Sequence, residues 1–197
     1  EGEIPLNPAY AIIKVIKRLE QAGAEVVGIP CNTSYCPQIF NVVQEEILAS
    51  NLGAQVLHMP SEVVNYLNVN YRRYKKIGIL STNGTYRTQI YKLALERAGF
   101  VPVVPNVRFQ HEVIHRLIYD SSFGLKANTE NITETALEYI QQINTYFKEQ
   151  QAEMLLFGCT ELSMLHQVQM ALPFIDSTEI LAKALIRMAT SEQLITV

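Results

Sequence analysis

AEVVGIPCNT, residues 24–33, runs a short branched apolar stretch into a cysteine and follows it with asparagine and threonine. Moved along by 128 positions, the chain offers AEMLLFGCTE, residues 152–161. The Ala-Glu pair and the cysteine coincide, the residues between them are apolar in both copies, and an amphipathic helical pattern precedes each. An apolar run without polar alternation suits a strand covered on both faces. The repeated order of helix, strand, cysteine and hydroxyl-bearing turn reads as two related half-structures. Such halves would set Cys31 and Cys159 face to face across a pseudo-twofold cleft.

Working outward, helix-period and strand-like runs alternate. Residues 9–21 carry Ile12, Ile13, Ile16 and Leu19 on one face and stop at Gly23, a C-terminal cap. Pro37 suits the first turn of a helix bearing Ile39, Phe40, Val43 and Ile47. Residues 55–59 read as a strand, with Ser61 capping a short helix through Leu67. A strand over 77–80 leads through STNGT, Ser81 to Thr85, to a helix over 86–98. Pro102 sends the run 101–104 to a sheet edge or strand end. A helix over 133–150, a strand over 154–157 and a last helix over 178–189 complete the pattern. The class is α/β, with parallel sheets and right-handed crossovers. The expected division is 1–72, 73–172, and a C-terminal strand and helix, 173–197, packing back on the first domain. Ligands of such sheets gather at the carboxyl ends of strands. Cys31, the STNGT turn and Cys159 all fall there, on one rim.

Composition narrows the function. The chain has 197 residues, 48% hydrophobic and 18% charged, enough to bury a core. Net charge is -3 and no long basic stripe is present, which argues against nucleic acid. The short basic run NYRRYKK, residues 70–76, reads as a solvated connector. No apolar run approaches the ~20 residues that span a bilayer, and EGEIPLNP does not resemble a secretory signal, so no membrane partner is expected. Three cysteines are too few for a disulfide framework and favour a reducing cytoplasm.

Two opposed thiols can move protons. A thiol ordinarily ionises near pH ~8.5, and a helix amino terminus lowers that value. Free N–H groups there, with the side chains of Asn32, Thr33 and Thr160, suit a carboxylate. A carboxylate pinned between two thiols invites removal of its α-proton from one face and return from the other. The centre inverts without metal or organic cofactor, provided fixed hydrogen bonds stabilise the carbanion. A cysteine at a strand end is by itself often an inert small hydrophobe. Two at matched places in matched turns favour the catalytic reading. Cys36 has no counterpart, fits no common zinc spacing with Cys31, and reads as packing.

PCNTS (residues 30–34), STNGT (81–85) and FGCTEL (157–162) closely resemble the three signature turns of the aspartate/glutamate racemase family, and PFIDSTEILAKALI (173–186) is similar to its closing strand and helix. GCTEL resembles the aspartate racemase branch, since glutamate racemases usually carry histidine after GCT. The resemblance implies cofactor-independent racemases of two α/β domains, dimeric, acting on a small acidic amino acid. It implies Cys31 and Cys159 as acid and base. Asn32, Thr33 and Ser34 would bind the α-carboxylate and amino group, with Thr160 and the turn Thr82 to Thr85 beside them. IYDSSFGLKA, residues 118–127, resembles the stretch holding a lysine for the distal carboxylate, which would be Lys126; a plain surface lysine is the bland reading. EGEIPLNP resembles the segment after the family's first two strands, so the first sheet is expected to lack strands and the cleft an arginine. Tyr35 stands where histidine is common nearby in relatives, which touches substrate range.

HEVIH, residues 111–115, is the rival motif, matching the zinc-peptidase pattern with Glu134 as an imaginable third ligand. On a helix, however, Val113, Ile114, Leu117 and Ile118 define the inward face, leaving both histidines at its border and Glu112 nearly opposite. The same cleft also suits a non-catalytic dicarboxylate-binding relative, or a different α-proton isomerase such as a hydantoin racemase or a diacid isomerase.

Overall fold

The structure, a computed structural model, describes residues 7–193; the opening EGEIPL lies outside them. Helix α1 (Ala9–Gln21) turns Ala9, Ile13 and Ile16 inward. Leu19, grouped with them by periodicity, is exposed instead. Gly23 adopts φ +93°, and Ala24 N donates to Leu19 O at 3.0 Å, the left-handed helix stop that glycine allows. Strand β1 (Val26–Gly28) then pairs in parallel with β2 (Gln55–Leu57), with α2 (Pro37–Ala49) between them in sequence. One core holds Ile13, Ile16, Val27 and Val43; another holds Tyr35, Phe40, Leu57 and Met59 with Leu181 and Ala184.

Helix α3 (Met59–Asn70) leads to the second sheet. Its strands are β3 (Lys76–Ser81), β4 (Val101–Val103), β5 (Met154–Gly158) and β6 (Phe174–Asp176), all parallel in the order β4-β3-β5-β6. Pro102 lies on the edge strand, where a missing N–H is tolerated. Every residue of β5 is buried. Leu155 and Phe157 join one core and Met154 and Leu156 the other, which explains the unbroken apolar run. Between β3 and β4 lie α4 (Asn83–Thr88) and α5 (Ile90–Arg97). Between β4 and β5, α6 (Val107–Phe109) continues through a π-helical turn (Gln110–His115) into α7 (Arg116–Tyr119), followed by α8 (Glu134–Glu149). Helix α9 (Ser177–Gln193) ends the described chain. Among the described residues no helix is long and apolar enough to cross a membrane.

Several sequence expectations are corrected. The C-terminal strand does not return to the first domain: β6 extends the second sheet beside β5, and only α9 reaches back. There α9 lies so close that a Cβ on Gly28 would stand 2.9 Å from Leu185 Cδ1. The helix after β2 starts at Met59, because His58 caps it by accepting from Ser61 N through Nδ1 at 3.3 Å. Helix 86–98 is two helices, since Thr82 caps an earlier start and Gln89 breaks the path at φ 55°. The segment bearing HEVIH is a π-turn inside an otherwise α-helical path.

Gly78 marks a tight point in the core of this scaffold. A Cβ there would lie 2.5 Å from Phe147 Cδ1 and 2.8 Å from Leu155 Cδ2. Phe147 is fully buried and has nowhere to retreat. Gly78→Ala should therefore lower unfolding free energy by about 1–3 kcal/mol in a urea titration, the usual range for an overpacked core.

Candidate active site

Both cysteines sit at the carboxyl ends of parallel strands and share one local geometry. Cys31 (φ −142°, ψ 105°) precedes the 3-10 turn Asn32–Tyr35, and Cys159 (φ −154°, ψ 139°) precedes the 3-10 turn Thr160–Gln167. Ser34 N donates to Cys31 O at 3.1 Å, and Leu162 N donates to Cys159 O at 3.1 Å. The sequence echo is thus an echo of backbone. Ser81 pairs with Gly158, so the STNGT turn and the Cys159 turn leave the sheet side by side.

The first turn is tied to the STNGT turn. Thr33 Oγ1 and Thr85 Oγ1 share a hydrogen bond of 3.0 Å. Gly84 permits that approach, since a Cβ there would sit 3.1 Å from Thr33 Cγ2. Thr82 Oγ1 accepts from Thr85 N at 3.5 Å. Asn32 is buried, and its Oδ1 accepts from Tyr91 Oη and, at 3.1 Å, from Ser177 Oγ. Its amide nitrogen has no protein partner. Ser34 is buried within the turn.

The second turn is built around a carboxylate. Cys159 Sγ donates to Glu161 Oε2 at 2.9 Å, and Thr160 Oγ1 donates to the same oxygen at 2.9 Å. Lys126 Nζ stands 3.5 Å from Glu161 Oε1 and 4.8 Å from the centroid of the Tyr119 ring. Burial pushes the Cys159 thiol well above the ordinary thiol range, and the Glu161 hydrogen bond and charge push the same way. Cys31 adds a lesser push in the same direction. Burial alone would raise Glu161; hydrogen bonds from Cys159, its own backbone N–H and Thr160, together with Lys126, outweigh it and keep the carboxyl low. Cys159 is therefore held as a thiol beside a carboxylate. Cys31, in contrast, is exposed, and Cys36 is buried.

The structure gathers the sequence candidates into two linked groups. Cys31, Asn32, Thr33, Ser34, Thr82 and Thr85 form one; Cys159, Thr160 and Lys126 form the other, joined by Glu161. Tyr91 spans them: its hydroxyl reaches Asn32, and its Cε2 lies 3.0 Å from where a Gly158 Cβ would stand. Sequence reasoning missed Tyr91, Ser177 and the role of Glu161. Glu161 stood in the quoted motif and Ser177 in the closing segment, whereas Tyr91 looked like any buried helical aromatic. His111 and His115 serve the STNGT turn. Asn83 Nδ2 donates to His111 Nδ1 at 2.9 Å and Asn83 N to His115 Nδ1 at 3.4 Å. Among the described residues no group of three His, Cys, Asp or Glu side chains is placed to hold a metal ion.

Residues 6–185 match the model of the Asp/Glu/Hydantoin racemase family. The chain belongs to this family. Like it, the protein is an isomerase, and independence from pyridoxal phosphate fits the family. It is 27% identical over 175 residues to the broad-specificity amino-acid racemase RacX of Bacillus subtilis (strain 168), covering 88% of this chain and 69% of that one. Among solved structures, the Picrophilus torridus aspartate racemase superposes with a TM-score of 0.72 at 27% identity, over 94% of this chain and 71% of that one. An aspartate racemase homologue from Pyrococcus horikoshii OT3 gives a TM-score of 0.68 at 26% identity, over 92% and 74%.

The different settings of this racemase-family protein's thiols are open to a chemical test. With iodoacetamide at pH 8, followed by mass spectrometry, Cys31 should be labelled well before Cys159 and Cys36. Glu161→Gln removes both the charge and the carboxylate acceptor that hold the Cys159 proton. Labelling of Cys159 should then accelerate at least several-fold at the same pH, because only the thiolate is alkylated.

Proposed function

We propose that the protein racemises aspartate or a closely related acidic amino acid, without a cofactor, using Cys31 and Cys159 as opposed proton carriers. The matched cysteine turns carry the proposal: two strand ends of one geometry, with the Cys159 proton held by burial and by Glu161. The Cys31 thiolate removes the α-proton from one face and becomes a thiol. The resulting carbanion takes the Cys159 proton on the other face, leaving the Cys159 thiolate. Proton and charge totals on the pair are unchanged, and the carbon is inverted. Turnover of the opposite enantiomer, or exchange with solvent, restores the starting state.

Binding follows from the same turns. The unpaired amide nitrogen of Asn32 gains an acceptor if a substrate carboxylate enters beside it, and the linked hydroxyls of Thr33 and Thr85 flank that place. As the carboxylate gathers charge from the carbanion, such fixed donors stabilise it most where water is excluded. Lys126, tethered through Glu161 to the Cys159 turn, is the cation we assign to a distal carboxylate. Preference for aspartate is supported by the likeness to aspartate racemases; the likeness to a broad-specificity racemase favours testing neutral amino acids beside it.

The test uses one aspartate enantiomer in heavy water, with chelator and without pyridoxal phosphate. Deuterium should enter the α-carbon as the optical rotation falls to zero. Cys31→Ser and Cys159→Ser should each reduce racemisation at least ~100-fold with unchanged circular dichroism of the protein, since one-sided proton traffic cannot invert a centre. Binding of the amino acid with no exchange at its α-carbon would replace the racemase by a non-catalytic binder.

A further inference from the structure

Tyr91 is fully enclosed, and it touches both cysteine turns through different parts of one side chain. Its hydroxyl donates to Asn32 Oδ1, next to Cys31. Its ring lies against Gly158, next to Cys159: an added Cβ on Gly158 would meet Tyr91 Cε2 at 3.0 Å, Tyr91 Cδ2 at 3.2 Å and Leu80 O at 3.2 Å. Ser177, from the start of α9, donates to the same Asn32 oxygen at 3.1 Å. Met59 Sδ stands 3.4 Å from the Tyr91 hydroxyl on another side. The local chain path is arranged to allow this. Gln89, a non-glycine residue at φ 55°, separates α4 from α5 two residues earlier, and α5 delivers Tyr91 into the core from its new start.

A two-base inversion depends on the distance and alignment between proton donor and acceptor, so whatever fixes their separation acts on the rate. A rigid phenol wedged between the turns is suited to that task. It has few rotamers and no room to shift. We infer that Tyr91 is a positioning residue that sets the separation of Cys31 from Cys159, with Ser177 completing the hold on Asn32. The inference rests on the two-thiol reading proposed above. It adds to the Thr33–Thr85 hydrogen bond a second, buried tie that holds the two cysteine turns at a fixed spacing.

Tyr91→Phe keeps the ring and removes the grip on Asn32. Gly158→Ala instead pushes on the ring from the other turn. Each should lower kcat roughly ten-fold or more, measured on the full protein with aspartate and with the best substrate of an amino-acid panel. In heavy water, the ratio of α-deuteration without inversion to inversion should rise in both variants, because a thiol that has taken the α-proton exchanges it with solvent and returns a deuteron to the same face when the opposite thiol is misaligned. A purely structural role would lower the melting temperature and leave that ratio alone. If Tyr91→Phe does not fold, Ser177→Ala, which removes the second donor to Asn32, carries the same expectation. Unchanged kcat and an unchanged ratio in the folded variants overturn the positioning role. Full racemisation in Cys31→Ser or Cys159→Ser overturns instead the two-thiol reading beneath it.

Discussion

The parallel ladder between β3 and β5 fixes where the chemistry can stand. It runs from Ile77 opposite Met154 to Ser81 opposite Gly158, and side chains on both of its faces are buried. A strand clamped on both faces cannot slip by one residue without turning core side chains to the wrong layer. The last pair therefore places Thr82 and Cys159 at adjacent points of one rim. The first sheet adds Cys31 to that rim through β1, and the Thr33–Thr85 hydrogen bond at 3.0 Å closes the gap between the sheets. The site is assembled from turns, but its register comes from apolar burial.

On that frame the thiols are made unequal by their surroundings. Cys159 sits in a buried cluster with Phe157, Leu162 and Leu165, yet its sulfur faces a carboxylate rather than hydrocarbon alone. Low polarity penalises the thiolate, and the neighbouring negative charge penalises it again. Glu161 escapes the same penalty because its oxygens collect hydrogen bonds from Cys159 and Thr160 and face the Lys126 ammonium. The proton thus rests on sulfur and the charge on oxygen. In the racemisation proposed above the two enantiomers are equally stable at equilibrium, so this asymmetry would leave their kcat/KM values equal. It can only divide binding and turnover differently for the two hands.

Much of the fold was legible in the sequence because each strand carried its own signature. MLLF, a short apolar run, read as a strand, and Pro102 sent its run to a sheet edge or a strand end. The matched geometry of the two cysteine turns was legible for the same reason, since repetition at 128 positions with strand context is a pattern one chain can display. What escaped reading depended on tertiary neighbours. Nothing in FIDST distinguishes a strand added to the second sheet from one returning to the first; the packing of Phe174 on Phe157, with ring centroids 4.5 Å apart, does. Tyr91 likewise looks like any apolar-face aromatic until Asn32, 59 residues earlier in the chain, lies against its hydroxyl. Hydrogen bonds between distant segments leave no periodicity behind.

HEVIH shows how a motif of metal-ligand spacing can be occupied by other work. Gln110 Nε2 donates to Ser81 O at 2.8 Å and to Asn83 Oδ1 at 3.2 Å, which fixes the Asn83 amide with its nitrogen toward His111. Asn83 then needs acceptors, and both histidines offer Nδ1. An imidazole accepts at Nδ1 only when that nitrogen is unprotonated. Burial, His111 and Arg87 together lower the basicity of His115, which keeps it in the accepting form. Accepting at Nδ1 leaves the ring proton on Nε2, so the pair with zinc-peptidase spacing is here spent on the turn that carries Thr82 and Thr85. Geometry and hydrogen-bond roles, rather than spacing alone, separate a ligand pair from a prop.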